Sequence, residues 1–145
     1  MAITSTLCTS FKQELLQGVH NFNKASSPDT FKLALYSSTA SLDASTTAFT
    51  TSGEVTGTNY TSGGATLTLK TGTPTTDGTT AVVDFDPLTF SNVTLTAAGA
   101  LIYNSSDSNK AVCVISFGKD VSASASNLTI TFPSTGASNS IIRLA

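Results

Sequence analysis

The tract GEVTGTNYTSGG, Gly53 to Gly64, gathers four of the ten glycines around Glu54 and Tyr60. A glycine-rich loop of the Walker type cradles phosphates, but it needs Gly-Lys-Ser/Thr leading into a helix. Here no lysine follows, and the next segment, ATLTLK, alternates as a strand does. A dinucleotide fingerprint lacks its strand–turn–helix context for the same reason. We therefore expect the glycines to supply the positive φ that turns and bulges require.

His20 is the only histidine, and a Ser–His–Asp triad would place it beside a nucleophile and a carboxylate. No nucleophile-elbow sequence occurs in the chain, and His20 falls at the end of a predicted helix. A surface or capping histidine is therefore expected.

Asp84 and Asp86, in DFDP, are the closest pair of carboxylates, and alternation places them on one strand face with Phe85 on the other. A glycosidase needs two carboxylates flanking a sugar cleft, yet the chain has no Trp and only three Tyr to form sugar platforms. The two aspartates could instead share calcium, which prefers several oxygen ligands. Two ligands are too few for a site, so solvated strand-end residues are expected.

The two cysteines differ in context. Cys113 lies in the apolar run AVCVISF and is predicted to be buried, whereas Cys8 lies in a polar segment and is predicted to be accessible. A disulfide lacks support, because the start of the chain does not resemble a signal peptide and cytosolic thiols stay reduced. Zinc would need more than two Cys and one His. Catalytic residues, cofactors and metals are therefore not predicted, and an enzyme is not expected.

The composition excludes further classes. A chain of 145 residues predicts one domain. Charged residues make up 11% of it, against about 25% in an average domain. The net charge is −2 and the seven basic residues are scattered, which argues against nucleic acid. No apolar run approaches the roughly 20 residues that span a membrane.

Hydrophobic periodicity predicts the elements that position these residues. Residues 1–9 form an extended arm, and Ser10 with Gln13 resembles a capping box before FKQELLQGVHNF, whose apolar stripe predicts one short helix. The period then changes from 3.6 to 2. Strands are predicted at 31–36, 65–70, 81–85, 88–95, 99–104, 111–117 and 127–132 and in the final SIIRLA, with a turn-rich connection at 71–80 and a hairpin across SSDSNK.

About eight short strands predict an all-β fold, an antiparallel β-sandwich of jelly-roll type with one short N-terminal helix, in a single domain over 10–145. The stretch from Ser37 to Gly64 is long for a loop in a compact domain. Its spaced apolar and aromatic residues indicate anchors of an ordered loop: Leu42, Phe49, Val55 and Tyr60.

The segments LALYSSTASL, the GEV-G---Y--GG pattern and GALIYN follow one another along the chain. With them, nearly the whole chain resembles the small β-rich virion proteins of tailed bacteriophages, and most of all capsid cement or decoration proteins. Asn59 stands before Tyr60 where a glycine is expected in such proteins, so the turn there is expected to differ.

The resemblance implies a structural protein that binds the outside of a capsid and bridges major capsid subunits. It implies a homo-oligomer, dimer or trimer, on the virion surface, made in the host cytoplasm without a signal peptide, and no nucleic-acid, membrane or cofactor partner. The arm, the exposed side of the helix and the Ser37–Gly64 loop are expected to supply the contacts. The candidate interface residues are Thr4, Leu7, Lys12, Glu14, Leu42, Phe49, Glu54 and Tyr60.

Two alternatives stay open: a phage tail or fibre-associated protein that binds a host glycan, and a carbohydrate-binding or adhesive module. Either would show exposed aromatic side chains with polar partners. The tyrosines available for that purpose are Tyr36, Tyr60 and Tyr103.

Overall fold

The computed structural model describes residues 2–145 as a mostly β fold with one short helix. The strands are β1 (Thr6–Leu7), β2 (Phe31–Tyr36), β3 (Ala65–Thr66), β4 (Thr75–Asp77), β5 (Thr80–Val83), β6 (Leu88–Asn104), β7 (Lys110–Ile130) and β8 (Ile142–Leu144), with the helix α1 (Thr9–Leu16) and a 3₁₀ turn, Lys24–Ser26. The strands form a five-stranded sheet, β1-β7-β6-β2-β3, and a three-stranded sheet, β4-β5-β8, all antiparallel. One core takes in side chains of both sheets and the helix, so the predicted all-β sandwich is confirmed.

The hairpin of β6 and β7 dominates the larger sheet. The predicted turn across SSDSNK is confirmed, but each strand fuses two segments that periodicity had separated, giving 17 and 21 residues. Strands β6 and β7 stay paired along their length because the pairing register shifts. Ala97 pairs with Val121, whereas Gly99 pairs with Ser116. Residues 117–120 of β7 thus lie opposite residue 98 alone, so β7 has three additional residues here, a bulge that lets a long ribbon bend.

Three shorter segments differ from their predictions. Strand β2 spans the predicted 31–36, yet Ala34 and Tyr36 are as buried as the residues that alternate with them. The Tyr36 hydroxyl donates to the Thr50 carbonyl at 2.6 Å, so the long loop packs against this face. Strand β3 ends at Thr66, short of the predicted 65–70. Beyond it, Leu69 forms an isolated β-bridge with Phe85. The connection at 71–80 contains β4, which a two-residue turn with Gly78 at φ 61° joins to β5.

The helix differs from its prediction at both ends. Its N-cap is Cys8, which makes no side-chain cap bond, so the capping-box prediction at Ser10 is wrong. The preceding chain is extended in β1, which starts the helix earlier and places Ser10 within it. The helix ends at Leu16, before Gly18 at φ 73°. The predicted apolar stripe starts at buried Phe11 and continues beyond the helix.

The N-terminal arm lies on its own domain. Of the predicted arm, Met1 lies outside the described residues. Ile3 forms a parallel bridge with Leu42, and Thr6 pairs with Val114 of β7. Within residues 2–145, the structure contains no helix that is both long and apolar enough to cross a membrane.

Candidate functional site

The carboxylate of Glu54 organises the glycine-rich tract. Its Oε1 accepts hydrogen bonds from the Tyr60 hydroxyl at 2.9 Å and from the Gly63 N–H at 2.6 Å. Its Oε2 accepts one from the Ser62 hydroxyl at 2.6 Å. All three donors belong to the same tract, so the carboxylate closes the loop on itself. The Gly63 N–H, which a phosphate cradle would need, is already bound to Glu54.

Tyr60 attaches this loop to the sandwich. Its hydroxyl accepts the Leu35 N–H of β2 at 2.9 Å, and its half-buried ring packs on Phe90 with 5.6 Å between centroids. Burial raises the pKa of Tyr60, so the hydroxyl remains a neutral donor and acceptor. From the other side, the Tyr103 hydroxyl donates to the Gly63 carbonyl at 2.7 Å. The tract is therefore a fixed loop, in agreement with the scaffold interpretation.

The glycines of this loop are required for two different reasons. Gly63 and Gly64 have φ of 94° and 74°, as expected for turns. Gly57 does not have positive φ; a Cβ there would overlap the carbonyl oxygen of Thr94 on β6. Asn59, where a glycine was expected, has φ 61°, a conformation that Asn tolerates better than most residues.

His20 is buried, so the expectation of a surface or capping histidine is wrong. Its Nε2 lies 2.7 Å from Glu14 Oε2, and its Nδ1 lies 3.1 Å from the amide nitrogen of Asn104. Because an amide nitrogen only donates, this network assigns the proton to Nε2, which donates to Glu14. The chain after the helix folds back and brings the ring to 4.8 Å from Phe11. Both ring nitrogens are occupied by structural partners, and none is a nucleophile.

Asp84 is completely buried, so the expectation of a solvated strand-end carboxylate is wrong for it. Its Oδ1 accepts the Phe85 N–H at 3.2 Å, while its Oδ2 has no hydrogen-bond partner. Burial raises the pKa of this carboxyl. The Phe85 N–H, the charge of Lys70, the Ser140 hydroxyl and the Ile141 N–H offset only part of the effect. Asp86 is half-buried. Across residues 2–145, the structure brings together no group of three or more His, Cys, Asp or Glu side chains that could hold a metal ion.

Both thiols are free and buried. The prediction is confirmed for Cys113, which is 2% exposed, and wrong for Cys8, which is 0% exposed. The Cys8 N–H donates to the Val112 carbonyl of β7, which fixes the residue that precedes the helix on the sheet. Burial raises the pKa of Cys8 to about 11, and it also raises that of Cys113. Neither thiol is poised as a nucleophile.

The structure does not gather the candidate interface residues into one patch on a single element. Those on the arm, the helix and the long loop differ in exposure, and several already serve the fold, as Glu54 and Tyr60 do. The Leu42 side chain is only 2% exposed. Thr4 and Lys12 are exposed, and the half-buried residues are Leu7, Glu14, Phe49, Glu54 and Tyr60.

One surface of the β6–β7 ribbon carries hydroxyl groups and no charge. Thr89 and Thr129 are hydrogen-bonded across the strands at 2.9 Å, and Thr96 and Ser122 at 2.7 Å. Residues 88–104 and 121–131 contain no Asp, Glu, Lys or Arg. The sequence patterns above do not predict this surface, although the alternating threonines of LTFSNVTLT indicate a strand with hydroxyl groups on one face. We call it the hydroxyl face and define it as the exposed residues Thr89, Thr94, Thr96, Ser122, Ser124 and Thr129.

Grooves in the surface hold few ionisable groups. A groove of about 490 Å³ has Arg143 as its only charged side chain, and one of about 310 Å³ has Lys119 and Asp120. A third, of about 410 Å³, is lined by Ile115, Phe117 and other residues without charge. None of the three brings a base to a nucleophile in the manner of a triad.

No known protein family, curated protein or solved structure matches the chain. The fold, the grooves and the hydroxyl face are therefore the structural features that bear on function.

Proposed function

We propose that the protein is a structural virion component, a cement or decoration protein that binds the outside of a bacteriophage capsid and bridges major capsid subunits. The sequence resemblance motivates this proposal. The observation that carries it is the hydroxyl face, an uncharged sheet surface on the longest strands of the molecule.

An uncharged face suits a broad contact with another protein. Burying an ionised side chain without a partner costs far more than burying a hydroxyl. Four hydroxyls of the face already bond to one another in pairs, so their hydrogen bonds survive contact. The hydroxyl face can therefore contact a shell without burying an unpaired charge.

The internal bonding of the loop supports a mechanical role. Glu54, Tyr60 and Tyr103 hold residues 54–63 to β2 and β6. A bridge between subunits transmits load only if its own loops do not yield. We further propose that the protein forms a dimer or trimer on the shell and that its partner is the major capsid protein.

The glycan-binding alternatives have less support. Tyr36 and Tyr103 are 0% and 3% exposed, and the hydroxyl of half-buried Tyr60 is bound within the loop. A sugar platform needs an aromatic face open to solvent, which these three tyrosines do not offer.

The test is mass spectrometry of gradient-purified particles, where a cement protein is present at a copy number comparable with that of the shell protein. Absence, or only a few copies per particle, would contradict the proposal. A second measurement locates the contact by sedimenting shells with added variants. We expect Ser124→Lys, on the hydroxyl face, to bind at least tenfold more weakly, because it buries an unpaired charge. Thr71→Lys, on an exposed turn, is the matched control and binds as wild type.

A further inference from the structure

The two sheets differ in size, and the smaller one leaves part of the larger one open. Five strands face three, and β8 is an edge strand of the smaller sheet. The groove of about 490 Å³ lies where the segment with β8 meets β1 and β7 of the larger sheet. Its lining includes Leu7, Cys113 and Ile115 on one side and Ile141 and Arg143 on the other.

The floor of this groove is an inner face of the larger sheet. Leu7 pairs with Cys113, and directly paired residues project to the same face. Ile115, two residues along β7, shares that face by alternation. Leu7 and Ile115 are only half-buried although they pack against the core. A second groove, of about 410 Å³, shares Ile115 and Ile141 and extends this apolar surface.

The wall of the groove is a free backbone edge at Arg143. The two-residue turn between β4 and β5 makes Asp77 and Thr80 a hydrogen-bonded pair, and such pairs alternate along antiparallel strands. The backbone of Ala81 therefore points to β8, where it pairs with Leu144. By the same alternation, the N–H and C=O of Arg143 point away from β5 and are available to another strand.

The guanidinium of Arg143 is held in place but lacks an acidic partner. Its Nη1 donates to the carbonyls of Ala137 and Ser138 at 3.3 and 3.1 Å. Among residues 2–145, Lys110 pairs with Asp107 and the His20 Nε2–H bonds to Glu14, and neither contact includes Arg143. Arg143 thus presents an oriented positive charge beside an open sheet edge.

We propose that this edge binds an extended strand of a partner protein, which adds to the three-stranded sheet next to β8. The partner strand has an apolar–acidic–apolar sequence. The acidic residue lies opposite Arg143, and its two apolar neighbours project onto Leu7 and Ile115. This mode is strand addition, in which backbone hydrogen bonds give affinity and alternate side chains give specificity. It concerns a surface other than the hydroxyl face and does not depend on the proposed function.

A second copy of this chain fits the edge less well. Two β8 strands paired about Arg143 would place two arginines directly opposite each other, and like charges at such positions are destabilising. Charged residues on edge strands commonly prevent self-pairing in this way. An acidic residue on the incoming strand reverses the sign of the interaction.

The probe is a capped peptide, Ser-Thr-Val-Asp-Val-Thr-Ser, compared with the same peptide carrying a central Lys. Binding to the whole protein is followed by titration calorimetry and by the NMR signal of the residue 143 amide. We expect saturable binding of the Asp peptide, slower hydrogen exchange at that amide, and about fivefold weaker binding of the Lys peptide, the size of a cross-strand charge effect. Arg143→Glu should reverse the preference between the two peptides.

Proline substitutions separate binding from folding. Arg143→Pro removes an N–H that the fold does not use, together with the two guanidinium bonds to Ala137 and Ser138. Its melting temperature should therefore match that of Arg143→Ala, which loses the same two bonds but keeps the N–H, while only the proline variant loses peptide binding entirely. Leu144→Pro is the matched control, because it removes an N–H that pairs with Ala81, and it should lower the melting temperature.

Three results would overturn the inference: no binding of the Asp peptide at millimolar concentration, equal binding of both peptides, or full binding to Arg143→Pro. Concentration-dependent dimerisation that Arg143→Pro abolishes would also overturn it, since the occupant would then be a second copy.

Discussion

At the scale of single residues, burial determines how Asp84 responds to pH. A carboxyl whose pKa is raised in the folded state stabilises the protein below its ordinary pKa, and this contribution is lost as pH rises through the raised value. We therefore expect Asp84→Asn to be at least as stable as wild type at pH 7, where the buried carboxylate is unfavourable. Its advantage should shrink as the pH falls toward 3.

The measurement is the free energy of unfolding in urea from pH 3 to 7, for wild type and variant together. The difference between the two curves isolates Asp84 from the other titrating groups. Thr71→Ala, at an exposed position without a titrating group, is the control and should give a curve parallel to that of wild type. A variant less stable than wild type at every pH would show that Lys70, Ser140 and Ile141 stabilise the carboxylate by more than its burial costs.

The same burial makes both thiols unreactive in the native protein. Cys8 and Cys113 are 0% and 2% exposed, and each has a raised pKa, so the thiolate that reacts is scarce. A thiol reagent at pH 8 should therefore modify neither cysteine until denaturant is added, after which both react. Mass spectrometry counts the labels, and rapid labelling of Cys8 alone would mean that the arm leaves β7.

At the scale of elements, the glycine-rich loop depends on the hydroxyl of Tyr60. Tyr60→Phe keeps the ring on Phe90 but leaves the Leu35 N–H without its acceptor, so we expect a loss of about 1–3 kcal/mol in stability. Tyr60→Ala should cost more, because it also removes the ring. Thermal and urea unfolding measure both, with Thr61→Ala as the exposed neighbouring control. Unchanged stability in both Tyr60 variants would contradict the anchor.

A pair of glycine substitutions separates close approach from backbone conformation. Gly57→Ala places a Cβ against the Thr94 carbonyl and should push the loop away from β6. Gly72→Ala meets nothing within 4 Å, but its φ of 84° strains any side chain. We expect Gly57→Ala to be the more destabilising and to shift the NMR signals of β6, whereas Gly72→Ala should cost about 1 kcal/mol with local effects alone. Equal costs with no change at β6 would contradict this distinction.

Several elements could be predicted from the sequence because local signals and tertiary structure agree there. The period-2 pattern of FKLALY places β2 correctly, and SSDSNK marks the hairpin. The fusion of four predicted strands into β6 and β7 could not be anticipated, because it depends on register shifts between distant residues.

At the candidate site, the loop anchors could be predicted and their chemistry could not. The spaced apolar and aromatic residues of the long loop predict Tyr60 as an anchor, and its bonds to Leu35 and Glu54 agree with that prediction. The bonds of Glu54 depend on the folded path of residues 60–63, which periodicity does not describe. His20 and Asp84 are likewise buried by segments that fold over them. A local sequence pattern does not show which distant segments will pack on a residue.

At the scale of the whole molecule, few charges interact. Among residues 2–145 the ion pair is Lys110–Asp107, a surface pair of small value, whereas His20 and Glu14 share a hydrogen bond from the ring Nε2–H. We expect the melting temperature to change by less than about 2 °C between 10 and 500 mM sodium chloride, since salt screens exposed charges and little else. Calorimetry at both concentrations tests this, and a strong salt dependence would mean that long-range charge interactions stabilise the fold.

The pairing of β1 with β7 determines when the N-terminal segment can fold during synthesis. Residues 6 and 7 pair with 114 and 113, and the Cys8 N–H binds the carbonyl of Val112. During synthesis from the N-terminus, these partners are added more than a hundred residues later. The β6–β7 hairpin, whose strands are joined by a short turn, can close locally, whereas contacts between distant residues must wait for loop closure. The arm and helix therefore reach their native positions only after residues 112–114 of β7 have been synthesised.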